Sequence, residues 1–167
     1  MKGKTYFAYA ALAGFLTIAG CSAQKQSAVG TAGQEAAAKR GNFVGTWTLN
    51  SVNMQNLPPN AKVKNVFDTA PANDFNSSVW ILTNSGKGKF TLSGGTEQSL
   101  FWSYDNKTNI FGFKKLAEGD KPQNVSAGYQ LNVVSNDGTN LVMRSPIELD
   151  GKQGYIEYAF TKTGKAY

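Results

Sequence analysis

From residue 43 onward the chain alternates apolar and polar positions in short runs, the period-two signature of strands. Phe43, Trp47 and Leu49 share one parity with Gly45 between them, which predicts a strand over 43–52. Asn and Pro-Pro break the pattern over 53–59; a short strand is predicted over 62–67 and a loop over 68–77. Strands over 79–83 and 89–92 flank turn chemistry at 84–88, and a second turn follows at 93–95. Residues 98–104 place Leu100, Trp102 and Tyr104 on one face; 109–116 return with Phe111 and Phe113 around Gly112. After a polar loop over 117–125, residues 128–134 carry Tyr129, Leu131 and Val133 on one side. Asn136-Asp137-Gly138 is a hairpin turn, residues 140–144 pair back, 146–149 lead to the turn at Asp150-Gly151, and 154–162 form the last strand. Eight or nine short strands joined mostly by hairpins make an all-β protein. An antiparallel up-and-down β-barrel of about eight strands is the expected closure, because closure leaves no unpaired edge. Two packed sheets are the alternative.

The first forty residues follow another pattern. A positive start, Met1-Lys2-Gly3-Lys4, precedes an uncharged apolar run over 5–18. That run suits a signal peptide and is short for a membrane span of about 20 residues. Its end, Ile18-Ala19-Gly20-Cys21, resembles a bacterial lipobox. The resemblance implies that residues 1–20 are a lipoprotein signal peptide, that cleavage falls between Gly20 and Cys21, and that the Cys21 thiol carries diacylglycerol. A further acyl chain such as palmitate on the new amino terminus would make the anchor stable, since one chain holds only marginally. Ser22 follows where an aspartate would retain the protein at the inner membrane, so the expected address is the outer membrane, on its periplasmic side. Residues 22–41 are rich in Ala, Gln, Ser and Gly. Residues 21–41 are therefore expected to be the lipidated cysteine and a flexible tether of about 25 Å r.m.s. reach, and 42–167 the barrel domain, a monomer.

Charge changes the picture little. Five of the 17 basic residues and one of the 11 acidic ones precede Asn42, leaving 12 against 10 in the domain, about +2. With no basic block interleaved with aromatics, nucleic acid is not an expected partner. Histidine is absent and Cys21 is the lone cysteine, which removes the commonest general base, the usual metal ligands and any internal disulfide. No glycine-rich phosphate loop opens a helix. Glu97, Asp105, Glu118, Asp120, Glu148, Asp150 and Glu157 are scattered and mostly adjoin turns, so no acid pair stands out as a hydrolytic couple. No catalytic residues, metal or cofactor are expected, and the chain reads as a non-enzyme.

The domain resembles the lipocalin-like lipoproteins of Bacteroidetes, in the calycin group. The resemblance is carried by Gly45-Thr46-Trp47 at the first strand, residues 85–90 and 102–105, and Tyr158-Ala159-Phe160-Thr161-Lys162 at the end. It implies a cup for a small hydrophobic ligand, closed at its base by the tryptophan. Lipocalins lay an arginine against that tryptophan; here Lys162 holds the place, so Gly45, Trp47 and Lys162 are the expected base. An eight-stranded barrel has room for side chains or one small ligand. Trp80, Phe90, Trp102, Tyr104, Phe111 and Tyr129 are the candidate ligand-binding residues, with Leu82, Phe113 and Tyr158 as further lining. The alternative is a filled barrel that binds an envelope protein or glycan through the loops at 68–77 and 117–125. Asp68-Thr69-Ala70 resembles the acceptor for Bacteroidetes O-glycosylation, which makes Thr69 a candidate modification site.

Overall fold

The computed structural model describes residues 38–58, 61, 63–149 and 151–166. The expected signal peptide, Gly20, Cys21 and the expected tether up to residue 37 lie outside the described residues. A helical turn α1 (Arg40–Phe43) leads into β1 (Gly45–Gln55), and a long connection carrying a second turn α2 (Ala72–Phe75) leads to β2 (Val79–Leu82). Then follow β3 (Lys87–Thr91), β4 (Glu97–Asp105), β5 (Ile110–Leu116), a 3-10 turn at Pro122–Asn124, β6 (Tyr129–Asn136), β7 (Asn140–Leu149) and β8 (Lys152–Gly164). Each strand pairs antiparallel with the next and β8 returns to β1, so the eight strands close into an up-and-down barrel. No helix among the described residues is long and apolar enough to cross a membrane.

Alternation decides which side chains fill the interior. Trp47 pairs with Trp80, Trp80 with Phe90, Trp102 with Phe113 and Phe111 with Leu131, all buried. Burying one large aromatic contributes roughly 1.5–3 kcal/mol, so this ring-rich interior is the main source of stability. The β1–β8 register shifts between Leu49 and Ser51. The bulge moves the inward parity from Trp47 and Leu49 to Val52, which packs against the core.

Several local expectations change. Among the described residues, 63–67 form no strand; the chain makes one isolated bridge, Val66 to Ala70, across a turn at residues 67–69. Phe67 and Asp68 take left-handed backbone angles there, φ 50° and 45°. The apolar residues of this stretch serve the barrel's interior, and their spacing mimics a strand. Pro146 does not divide β7. The pairing of β6 with β7 runs no further than Arg144, so the missing N–H of Pro146 breaks no bond on that side. Packing begins before residue 42: Ala38 is buried and α1 starts at Arg40. Four-residue helical turns are too short for any periodicity to reveal.

Candidate ligand-binding site

The barrel has two unlike ends. The base lies where β1 begins. There Gly45, Trp47 and Lys162 come together. The Lys162 ammonium sits 4.8 Å from the Trp47 ring centroid, within cation–π range, and donates to the Asn42 carbonyl at 3.3 Å. Burial pushes the Lys162 amine below its ordinary value. Gly45 is needed twice over: its φ is +152°, and a Cβ there would come within 2.8 Å of Lys162 Cε and 3.0 Å of the Gly164 carbonyl. The Trp47 indole N–H donates to the Phe43 carbonyl at 2.7 Å, fixing α1 across the opening. The Phe43 ring then enters the interior, 4.6 Å from Tyr104, 5.4 Å from Phe111 and 6.0 Å from Trp102. Arg40 closes the outside, its guanidinium 4.2 Å over Trp102 and donating to the Asn84 carbonyl at 3.0 Å. Residue 40 belongs by composition to the tether, so the sequence offered no sign of this role.

The mouth is covered by the described part of the β1–β2 connection that runs over residues 63–78. Phe67 hangs from this strap into a box of rings: stacked on Tyr158 at 5.0 Å, edge-on to Phe113 at 5.0 Å, to Tyr129 at 5.4 Å and to Trp80 at 6.0 Å. Phe75 sits beside it at 5.6 Å and reaches Phe90 at 5.5 Å. The strap is latched by polar contacts. Lys115 Nζ donates to the carbonyls of Phe67 (2.9 Å) and Asp68 (3.2 Å) and to Thr69 Oγ1 (3.2 Å). The Tyr129 hydroxyl donates to Asp68 Oδ2 at 3.0 Å. Burial first, then the hydrogen bond and charge of Asp68, push the Tyr129 phenol up to about 12.

The six candidate lining residues thus fall into two groups. Trp102, Tyr104 and Phe111 surround Phe43 at the base. Trp80, Phe90 and Tyr129 belong to the upper cluster around Phe67 and Phe75, where Phe113 and Tyr158 complete the walls. The Tyr104 hydroxyl donates to Asn109 Oδ1 at 2.7 Å, and burial, then the Asp105 charge, raise its pKa above the ordinary phenol value. The Thr69 hydroxyl, the candidate glycan acceptor, is engaged by the latch and donates to the Phe67 carbonyl at 2.8 Å. The sequence reading missed Phe67 and Lys115. Lys115 was findable, since it continues the inward parity of Phe111 and Phe113; Phe67 was not, because no strand carries it.

A concavity lies on the outer wall. The connection between β5 and β6 folds back over the β4–β5–β6 surface, held by Lys114 Nζ donating to the carbonyls of Pro122 (3.1 Å) and Val125 (2.6 Å). Beneath it runs a solvent-open groove of about 1140 Å³, with Phe101 and small residues such as Ser103, Gly112 and Gly128 among its lining. In comparisons with known proteins, no family model matches the chain and no curated protein matches it.

Proposed function

We propose that this protein is a lipid-anchored binding protein of the periplasm, held to the outer membrane through Cys21, that takes a small hydrophobic ligand at the mouth of its barrel. The reading keeps the resemblance to lipocalin-like lipoproteins as its family proposal. One observation carries it: the ring at the centre of the aromatic box comes from the covering strap and not from a wall. A wall side chain is a permanent part of the core. A ring on a strap latched by a handful of polar bonds can be exchanged for a ligand ring of similar size. The walls that remain, two tyrosines, a tryptophan and a phenylalanine, present broad apolar faces with polar tips. The test is native mass spectrometry of the full lipidated chain extracted gently from its own membrane, with thermal melts across a lipid and pigment panel. A retained small molecule or a rise in melting temperature is the expected result. A bare mass together with unchanged melts would overturn the reading.

The outer groove favours a second reading, a filled barrel that binds an envelope protein or glycan. Phe101 and the serine hydroxyls among its lining are of the kind that a sugar ring or a peptide covers. Replacing Phe101 with Ala should then lose a partner recovered by pull-down from envelope extracts. An unchanged set of captured partners would remove this reading.

A further inference from the structure

We infer that the ligand of the mouth is an amphipathic monocarboxylic acid, whose apolar body takes the place of the Phe67 ring and whose carboxylate takes the place of the strap on Lys115. This rests on the binding reading above and adds the chemical class of the ligand to it. The register of β4 with β5 sets Lys115 opposite the buried Leu100, as it sets Phe113 opposite Trp102. Lys115 therefore points inward from the rim, a position where a strand would ordinarily carry an apolar residue. Its ammonium is 5.6 Å from the Tyr129 ring centroid, about one ring's width from the box. The three oxygens it holds, those of Phe67, Asp68 and Thr69, are all neutral. Among the described residues the ion pairs within 4.0 Å are Lys89–Glu97 and Arg144–Glu157, so this inward ammonium has no carboxylate at that distance. Asp68 directs Oδ2 to the Tyr129 hydroxyl instead.

All three acceptors belong to the same turn that carries the Phe67 ring. When that ring leaves the box, Lys115 loses its partners in the same movement. A partly buried cation left this way is unfavourable until an acceptor replaces them. A neutral ligand refills the box and leaves the cation to water. An acid does both with one molecule, and a charge-assisted bond to carboxylate is the stronger replacement. The apolar box selects the body and the rim cation selects the head.

The probes are 2-naphthoate and its neutral methyl ester, titrated by calorimetry into the full chain, its Phe67→Ala variant, and Lys115→Met and Lys115→Arg variants shown by circular dichroism to be folded. The acid should bind wild type at least about ten-fold more tightly than the ester, one charge-assisted bond's worth. Phe67→Ala should bind both probes more tightly. Lys115→Met should bring the acid down to the affinity of the ester, and Lys115→Arg should retain the preference. If Lys115→Met does not fold, the acid-to-ester ratio in wild type and Lys115→Arg decides. Equal affinities in wild type, or a preference that survives Lys115→Met, would overturn the acid inference and leave the binding reading standing. Neither probe binding even to Phe67→Ala would instead count against the binding reading itself.

Discussion

Both ends of the barrel are stoppered by a phenylalanine that no strand supplies, and the two are held by different physics. At the base, Phe43 lies on a helical turn with ordinary backbone angles and an indole N–H closing on its carbonyl. Asn42 beside it donates to the Asn136 carbonyl at 3.1 Å and accepts from Lys162. At the mouth, Phe67 and the following Asp68 both have left-handed angles, which for residues with a Cβ cost about 1–2 kcal/mol each. The turn is closed by its own backbone bonds between Val66, Thr69 and Ala70, and it is tied to the barrel by side-chain bonds from Lys115 and Tyr129, reaching in from β5 and β6. The base stopper is relaxed and tied to the chain that precedes β1. The mouth stopper is strained and tied by groups that could bond to something else. A barrel that only needed filling would gain nothing from that asymmetry.

Truncating each stopper separates the two ends most sharply. Phe43 is fully buried against the rings of Trp102, Tyr104 and Phe111, so Phe43→Ala leaves an enclosed void and should cost about 3–5 kcal/mol in urea unfolding. Phe67 is as apolar but belongs to the covering strap itself and keeps 7% of its surface exposed. Phe67→Ala should cost less, about 2–3 kcal/mol, because the site can collapse or hydrate. Equal losses from the two would mean that the mouth is as permanent as the base, and would weaken the view of Phe67 as a displaceable ring.

That difference between the ends also marks where the sequence was readable. Strands β4, β5 and β6 announce themselves because Trp102, Phe111 and Leu131 alternate with polar neighbours, and hairpin turns such as Asn136-Asp137-Gly138 separate them. An all-β barrel follows from those elements by edge closure alone. The aromatic set was legible as interior for the same reason, but its division between two clusters was not, since that depends on shear and on which loop folds inward. Phe67 falls in a stretch where Val63, Val66 and Phe67 imitate a strand. Only long-range contact with β5, β6 and β8 turns it into a strap. Arg40 was hidden in a composition typical of linkers, and its stacking on Trp102 is likewise a contact between residues far apart in the chain.

The strain at the mouth has a signature of its own. At an ordinary loop position glycine is less favourable than alanine, because it has more freedom to lose on folding. At φ 50° the preference should reverse, since alanine pays the left-handed cost and glycine does not. Phe67→Gly should therefore be more stable than Phe67→Ala by about 1 kcal/mol, although both lose the ring. Denaturation midpoints of the two variants at equal slope give the answer. Alanine the more stable of the pair would show that the turn is not strained as described, or that the strap departs once the ring is gone.

The smallest effect is expected from the latch itself. The Tyr129 phenol is raised from 10.0 to about 12, by burial first and by Asp68 next, and burial raises Tyr158 to about 12 as well. A raised pKa means that the fold favours the protonated phenol. The associated stability is present in full below pH 10 and is lost as the pH climbs toward 12. At neutral pH, Tyr129→Phe removes one hydrogen bond to Asp68 and should cost only about 0.5–1 kcal/mol, its ring contacts remaining. Between pH 10 and 12 the variant should lose stability less steeply than wild type, because one of the two raised phenols has gone and Tyr158 still titrates. Tyr104→Phe is the matching change at the base, where the hydroxyl donates to the Asn109 amide oxygen and not to the strap. If the latch gates the mouth, Tyr129→Phe should also bind methyl 2-naphthoate more tightly at neutral pH, whereas Tyr104→Phe should leave that affinity alone. Equal responses from the two tyrosines would erase the distinction between a latched mouth and a fixed base.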